Sequence, residues 1–112
     1  AKQFMNCSNP PTAIVAANDI IAIGCCKYLH LNGYRIPNDV SVVGMDGIQL
    51  AKIYDPSITT MATPISAMGS EAVNLLINKI NHPTSKNRQI LFESKLTVGR
   101  STDENAPLYL EF

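Results

Sequence analysis

The sequence has no tryptophan, little aromatic content (6%) and no excess of charge: nine Lys and Arg balance nine Asp and Glu, giving a net charge of zero. A chain that grips nucleic acid unaided carries a basic surplus to neutralise phosphates. None is present here, overall or as a run. No apolar stretch approaches the ~20 residues that span a bilayer, and no signal peptide opens the sequence. The first residue is Ala1 rather than Met, so the chain is expected to be a piece of something longer.

Cysteine is scarce and odd in number, three in all, with Cys25 and Cys26 adjacent. Neighbouring side chains on a helix diverge by about 100°, so a disulfide between them would be strained. No other Cys or His stands at ligand spacing to the pair. The cysteines therefore read as small buried hydrophobes in a reducing compartment, and neither metal nor cofactor is expected. Enzymatic signatures are also missing. There is no G-x-G-x-x-G or Walker sequence, no Ser-His-Asp set and no nearby carboxylate pair. A phosphoacceptor domain would need an acidic cluster after its first strand, and Asp19 alone does not supply one.

What is present is apolar residue in quantity. The chain has 112 residues, 46% hydrophobic and only 16% charged, enough for one ordinary domain and against disorder. Phe4 and Met5 could finish a helix, which Asn9-Pro10-Pro11 would end. Residues 12–17 form a continuous apolar run, as a strand covered on both faces requires. A helix from 19 to 31 follows and stops at Asn32-Gly33. Ile36-Pro37-Asn38-Asp39 is a turn before a second buried strand near 40–44. A helical turn is expected over Gln49–Tyr54, then a third strand over Ile58–Met61.

Thr63-Pro64 reads as an N-cap followed by proline at the first helical position. Ile65, Met68, Ala72, Leu75, Leu76 and Ile80 then mark one helical face, ended by His82-Pro83. Beyond the loop 84–88, Ile90, Phe92, Leu96 and Val98 alternate as in a strand with one buried face. Leu108–Phe112 would be a docked tail or a disordered end. The order β-α-β-(short α)-β-α-β predicts a parallel α/β layer fold, with fewer strands than an open doubly wound sheet usually has.

In such sheets ligands bind outside the carboxyl ends of the strands. Asn18-Asp19, Asp46 and Thr63 each step off the end of a buried strand, and so are candidates to converge on one small molecule. Each also has a purely structural reading. Asn18 could cap the helix, as could Asp19, which could instead be a structural acceptor. Asp46 before Gly47 could be a turn residue, and Thr63 an N-cap. The 19–31 helix should pack on the sheet through Ile21, Cys25, Tyr28 and Leu29. Ile20, Ile23 and Leu31, interrupted by Lys27, lie on its other side and call for a second partner, either more of the same protein or another subunit.

Several of these segments resemble the regulatory domain of lactose/galactose-repressor-type transcription factors. They are Pro11-Thr12-Ala13-Ile14-Val15-Ala16-Ala17-Asn18-Asp19 with Ala22-Ile23-Gly24, then Gly33–Asp46, Asp55–Thr60, Met68-Gly69 with Ala72 and Leu75-Leu76, and Gly99-Arg100-Ser101-Thr102. The resemblance covers roughly residues 10–102 and implies part of a two-lobed periplasmic-binding-protein-like α/β fold. Residues 1–63 would then belong mainly to the second lobe. Residues 64–88 would form a crossover helix and loop associated with the first, 89–102 a returning strand segment, and 103–112 a C-terminal tail.

The resemblance also implies a sugar, sugar phosphate or other small polar effector facing Asn18, Asp46 and Thr63. It implies a homodimer whose contact includes Ile20, Ile23, Lys27, Leu31 and Tyr54. Thr63 stands where many members carry Gln, and Gly47 where Asp or Asn is frequent. Operator DNA would be bound only through a helix-turn-helix outside this sequence, and the protein would act in the cytoplasm with no membrane contact. The alternative is an extracytoplasmic sugar-binding protein of a transport system.

Overall fold

The computed structural model describes residues 1–102; the possible tail over Leu108–Phe112 lies outside the described residues. The elements run α1 Lys2–Met5, β1 Ala13–Val15, α2 Asp19–Leu31, β2 Ser41–Asp46, α3 Gln49–Ile53, β3 Thr59–Ala62, α4 Ile65–Asn81 and β4 Lys95–Thr97. The strands form one sheet in the order β1-β2-β3-β4. β1, β2 and β3 pair in parallel, whereas β4 lies antiparallel to β3, with Met61 opposite Leu96. The fold is thus a mostly parallel α/β layer. β4 is antiparallel because the chain leaves β3 through α4 and the returning segment runs back alongside β3.

The core joins Ile14 and Ala16, Val40, Val42 and Ile58 to Ala22, Cys26 and Leu29 of α2 and Ala51 of α3. Leu29 and Val42 are completely buried, each burial being worth about 1.5–3 kcal/mol. The buried stripe of α2 is therefore Asp19, Ala22, Cys26 and Leu29, not the expected Ile21, Cys25, Tyr28 and Leu29. Ile21 is half exposed, while Cys25 and Tyr28 only flank the core. Gly44 of β2 is the reason. A side chain there would meet Asp19 and Ala22, so the helix comes down onto the sheet through its smallest residues. Burial, helped by the neighbouring Cys25, pushes the Cys26 thiol up to about 11, so it stays protonated at neutral pH.

The turn before β2 is fastened by Asp39, which accepts the Arg35 amide at 2.8 Å and its guanidinium at 2.6 Å. That pairing holds the Asp39 carboxyl down at about 2.

The later part of the chain departs from expectation twice. Pro64, not Thr63, occupies the cap position of α4 and makes no side-chain cap bond. The strand expected from the alternation of Ile90, Phe92, Leu96 and Val98 shrinks to Lys95–Thr97, and Leu96 and Val98 are exposed. Ile90 and Phe92 instead share a cleft with Met68, Ala72 and Leu75 of α4. That strap leans on α4 away from the sheet without burying it, so the period-two pattern has no single buried face. No residue of α4 is buried. The chain measures 58 × 32 × 28 Å, with a radius of gyration of 18.5 Å, against about 13 Å for a compact domain of this length.

Candidate functional site

The sheet register aligns the candidate residues. Ile14 pairs with Val42 and Val15 with Val43. β1 ends at Val15, and Asn18 follows three residues beyond that end, while Asp46 closes β2. Asp46 in turn pairs with Ala62, and Thr63 is the next residue. The three lie at the carboxyl edge of β1, β2 and β3, and each is partly exposed.

Asn18 has an extended backbone, and its Oδ1 accepts the Ile21 amide at 2.9 Å. It is therefore the N-cap of α2, and its NH2 group has no hydrogen-bond partner among the described residues. Asp46 has φ 108°, a left-handed backbone unusual for a residue with a side chain, and Gly47 follows at φ 74°. The Asp46 carbonyl accepts the Thr63 amide at 3.1 Å, which ties the ends of β2 and β3 together. The Asp46 carboxylate takes no hydrogen bond among the described residues, so both oxygens remain available as acceptors. Gly47 is required by space as well as φ, since a Cβ would lie 2.5 Å from that of Ala62.

Thr63 turns its hydroxyl to Ser94 at 3.3 Å, bringing the returning strap to the same edge. Ser94 was not foreseen, and only a contact 31 positions distant in sequence brings it in. Asp19 is separated from the group. It is wholly buried and its Oδ2 accepts the Ile48 amide at 2.8 Å.

On the outer side of α2, Ile20 and Leu31 are 58% and 73% exposed. Lys27 lies between them on nearly the same helical line, since seven and eleven residues are close to whole turns. Ile23 departs from that line and packs partly against the core. Tyr54 does likewise, and its phenol is raised by burial and by the nearby Cys26 and Asp55 groups. Ile53, not anticipated, is 71% exposed. A cleft lined by Cys26, His30, Tyr34 and Tyr54 lies at the other end of α2, away from the strand ends.

A mostly parallel sheet with helices packed on it and free polar groups at its strand ends is the framework of a small-molecule-binding lobe. The chain belongs to the periplasmic binding protein-like domain family, whose model matches residues 1–102. It is 35% identical over 94 residues to the ribose operon repressor of Haemophilus influenzae, covering 84% of this chain and 28% of that protein.

Among solved structures it resembles the transcriptional regulator CelR–cellobiose complex (TM-score 0.75, 32% identity, 80% of this chain and 28% of that one). It also resembles a LacI family transcriptional regulator from Enterococcus faecium with bound ribose (TM-score 0.81, 28% identity, 90% of this chain and 37% of that one). The chain spans only about a quarter of the length of the first curated relatives it matches, 26% and 27%. No helix among the described residues is long and apolar enough to cross a membrane.

Proposed function

We propose that this chain forms part of the effector-binding and dimerising region of a bacterial cytoplasmic transcriptional regulator, with operator DNA held by a helix-turn-helix outside this sequence. The observation that carries the proposal is the free Asp46 carboxylate at the carboxyl end of β2, on the sheet edge where Thr63 leaves β3 and meets Ser94 and where Asn18 follows β1. An acceptor-only anion among amide and hydroxyl groups suits a ligand rich in hydroxyl donors. A sugar or sugar phosphate has that chemistry, and the cellobiose- and ribose-bound relatives share the fold.

Residues 1–63 would form one wall of the ligand cleft. The projecting α4 and its loop, 64–88, would belong mainly to the facing lobe, and 89–102 would lead back. Effector binding would favour one lobe arrangement over another, and so change the spacing of DNA-binding heads in a dimer. The matched relatives are regulators, which favours this reading over a transport protein and over an enzyme. Calorimetric titration of the full-length protein with ribose, cellobiose and sugar phosphates tests it. The expected result is saturable binding of one of these that Asp46→Ala weakens by about 2–4 kcal/mol. Binding by Asp46→Ala at normal affinity would place the site elsewhere.

A further inference from the structure

The left-handed turn that presents Asp46 is held from beneath by side chains that never reach the surface. Asp19, the first residue of α2, is fully buried, and its Oδ2 accepts the Ile48 amide at 2.8 Å. Thr60, in the middle of β3, is also fully buried, and its hydroxyl accepts the Gly47 amide at 3.2 Å. Two consecutive amides after Asp46 are thus anchored by two different elements.

The Asp19 carboxylate has itself been given a fixed seat. Its Oδ1 is buried without a hydrogen-bond partner among the described residues, and it lies where any side chain on Gly44 would stand. Burying a carboxylate is costly unless it is paired and hydrogen-bonded, and among the described residues the one hydrogen bond offsetting that cost for the Asp19 side chain is the Ile48 amide. Ile48 is the residue before α3 and offers no capping side chain; what Asp19 holds from a distance is the Ile48 amide itself, at the entry to that helix. Asp19 also follows Asn18 directly. One two-residue junction therefore caps α2 with its first side chain and holds the Asp46 turn with its second.

We infer that Asp19 and Thr60 are positioning residues for ligand binding: they fix the backbone of the turn at 46–48, and through it the direction of the Asp46 carboxylate. The inference rests on the assignment of Asp46 to the effector site, but the hold on the turn is measurable without any effector.

The experiment uses the full-length protein. Amide exchange at Gly47 and Ile48, followed by NMR in the absence of ligand, reports the hold. Titration with the sugar that the unmodified protein binds reports its consequence. Thr60→Val keeps the strand and the side-chain volume while deleting the acceptor. It should speed exchange at Gly47 and weaken sugar binding by about tenfold, the effect of one lost buried hydrogen bond. Thr60→Ser should restore both. Asp19→Ala should do the same at Ile48, and Cys26→Ala, a core truncation remote from the turn, should lower stability with affinity unchanged.

Unaltered exchange in both Thr60→Val and Asp19→Ala would overturn the hold. Faster exchange with undiminished affinity, in a protein whose Asp46→Ala variant does lose binding, would overturn the positioning role. If Asp46→Ala itself binds normally, the effector-site assignment fails instead, and the exchange rates still decide the hold.

Discussion

Ser101 and Val42 are joined by a reciprocal pair of hydrogen bonds. The Ser101 hydroxyl donates to the Val42 carbonyl at 2.5 Å, and the Val42 amide donates to the Ser101 carbonyl at 2.8 Å. Ser101 is completely buried, and its Oγ also accepts the Thr59 amide at 2.8 Å. A single serine therefore stitches the end of the described chain to the starts of β2 and β3. Gly99 just before it leaves no room for a Cβ, which would lie 2.5 Å from the Ser57 carbonyl. The Gly-Arg-Ser-Thr segment is structural, and its role is to close the amino-terminal edge of the sheet.

Ser101→Ala should accordingly be among the more damaging polar truncations in the chain. It strands the Thr59 amide and the Val42 carbonyl in the interior, at a cost of about 2–3 kcal/mol. Urea denaturation of the full-length protein measures this directly. A loss below the error of the measurement would mean that these groups find other partners.

Asp46 offers a test in which stability and binding move in opposite directions. A side chain at φ 108° is strained by about 1–3 kcal/mol. Asp46→Gly should relieve the strain and raise stability by roughly 1 kcal/mol, while sugar binding weakens by about 2–4 kcal/mol. Asp46→Ala should lose binding without the gain in stability. Equal stability in the two variants would show that the backbone relaxes once the carboxylate is gone.

Asn18 needs a series, because capping and ligand contact draw on the same side chain. Asn18→Ala removes the bond to the Ile21 amide and should cost about 1 kcal/mol of stability. Asn18→Ser keeps a capping oxygen but withdraws the amide NH2, so stability should hold while sugar affinity falls several-fold. Unchanged affinity in Asn18→Ser would leave Asn18 as a cap and nothing more.

The parts of the fold that were legible in sequence are those where local pattern and burial agree. The position of β2, the capped start of α2 and the break at Asn32-Gly33 belong there; β1 forms where its apolar run stands, but with Val15 79% exposed it is covered on one face and not on both as the run suggested. The buried face of α2 was misjudged because Gly44, twenty or more residues away, decides which helix residues approach the sheet. The strand expected from Ile90 to Val98 failed for a related reason. Its alternation of Ile90, Phe92, Leu96 and Val98 has the period of a strand, but its neighbours are α4 at one end and β3 at the other. Of the candidate site, the strand-end positions were readable from where apolar runs stop. The positive φ of Asp46, its unpaired carboxylate and the arrival of Ser94 were not, since each depends on contacts between distant segments.

The exposed state of α4 predicts uneven protection. A helix of 17 residues with none buried has little tertiary support, and isolated helices of that length are marginal in water. Hydrogen exchange on the 112-residue chain alone should therefore be fast throughout Ile65–Asn81 and slow in β2 and around Leu29. In the full-length protein α4 should become protected if the rest of the protein covers it. Strong protection of α4 in the isolated chain would mean that it finds a partner there, as in self-association.

The outer face of α2 supplies the last test. Ile20 and Leu31 are exposed along one line with Lys27 between them, whereas Ile23 is committed partly to the core. A charge at position 23 would therefore damage the fold before it reported on any subunit contact. Ile20→Glu is the cleaner probe, because 58% of that side chain is accessible in the single chain and its replacement leaves the interior intact. If this face meets a second copy, the introduced carboxylate is buried without a partner there, at a cost of several kcal/mol per ion. Symmetry doubles the penalty in a twofold dimer. Sedimentation equilibrium of full-length Ile20→Glu should then show monomer at concentrations where the unmodified protein is dimeric, with thermal unfolding in the monomer little changed. A dimer of undiminished affinity would move the contact off α2.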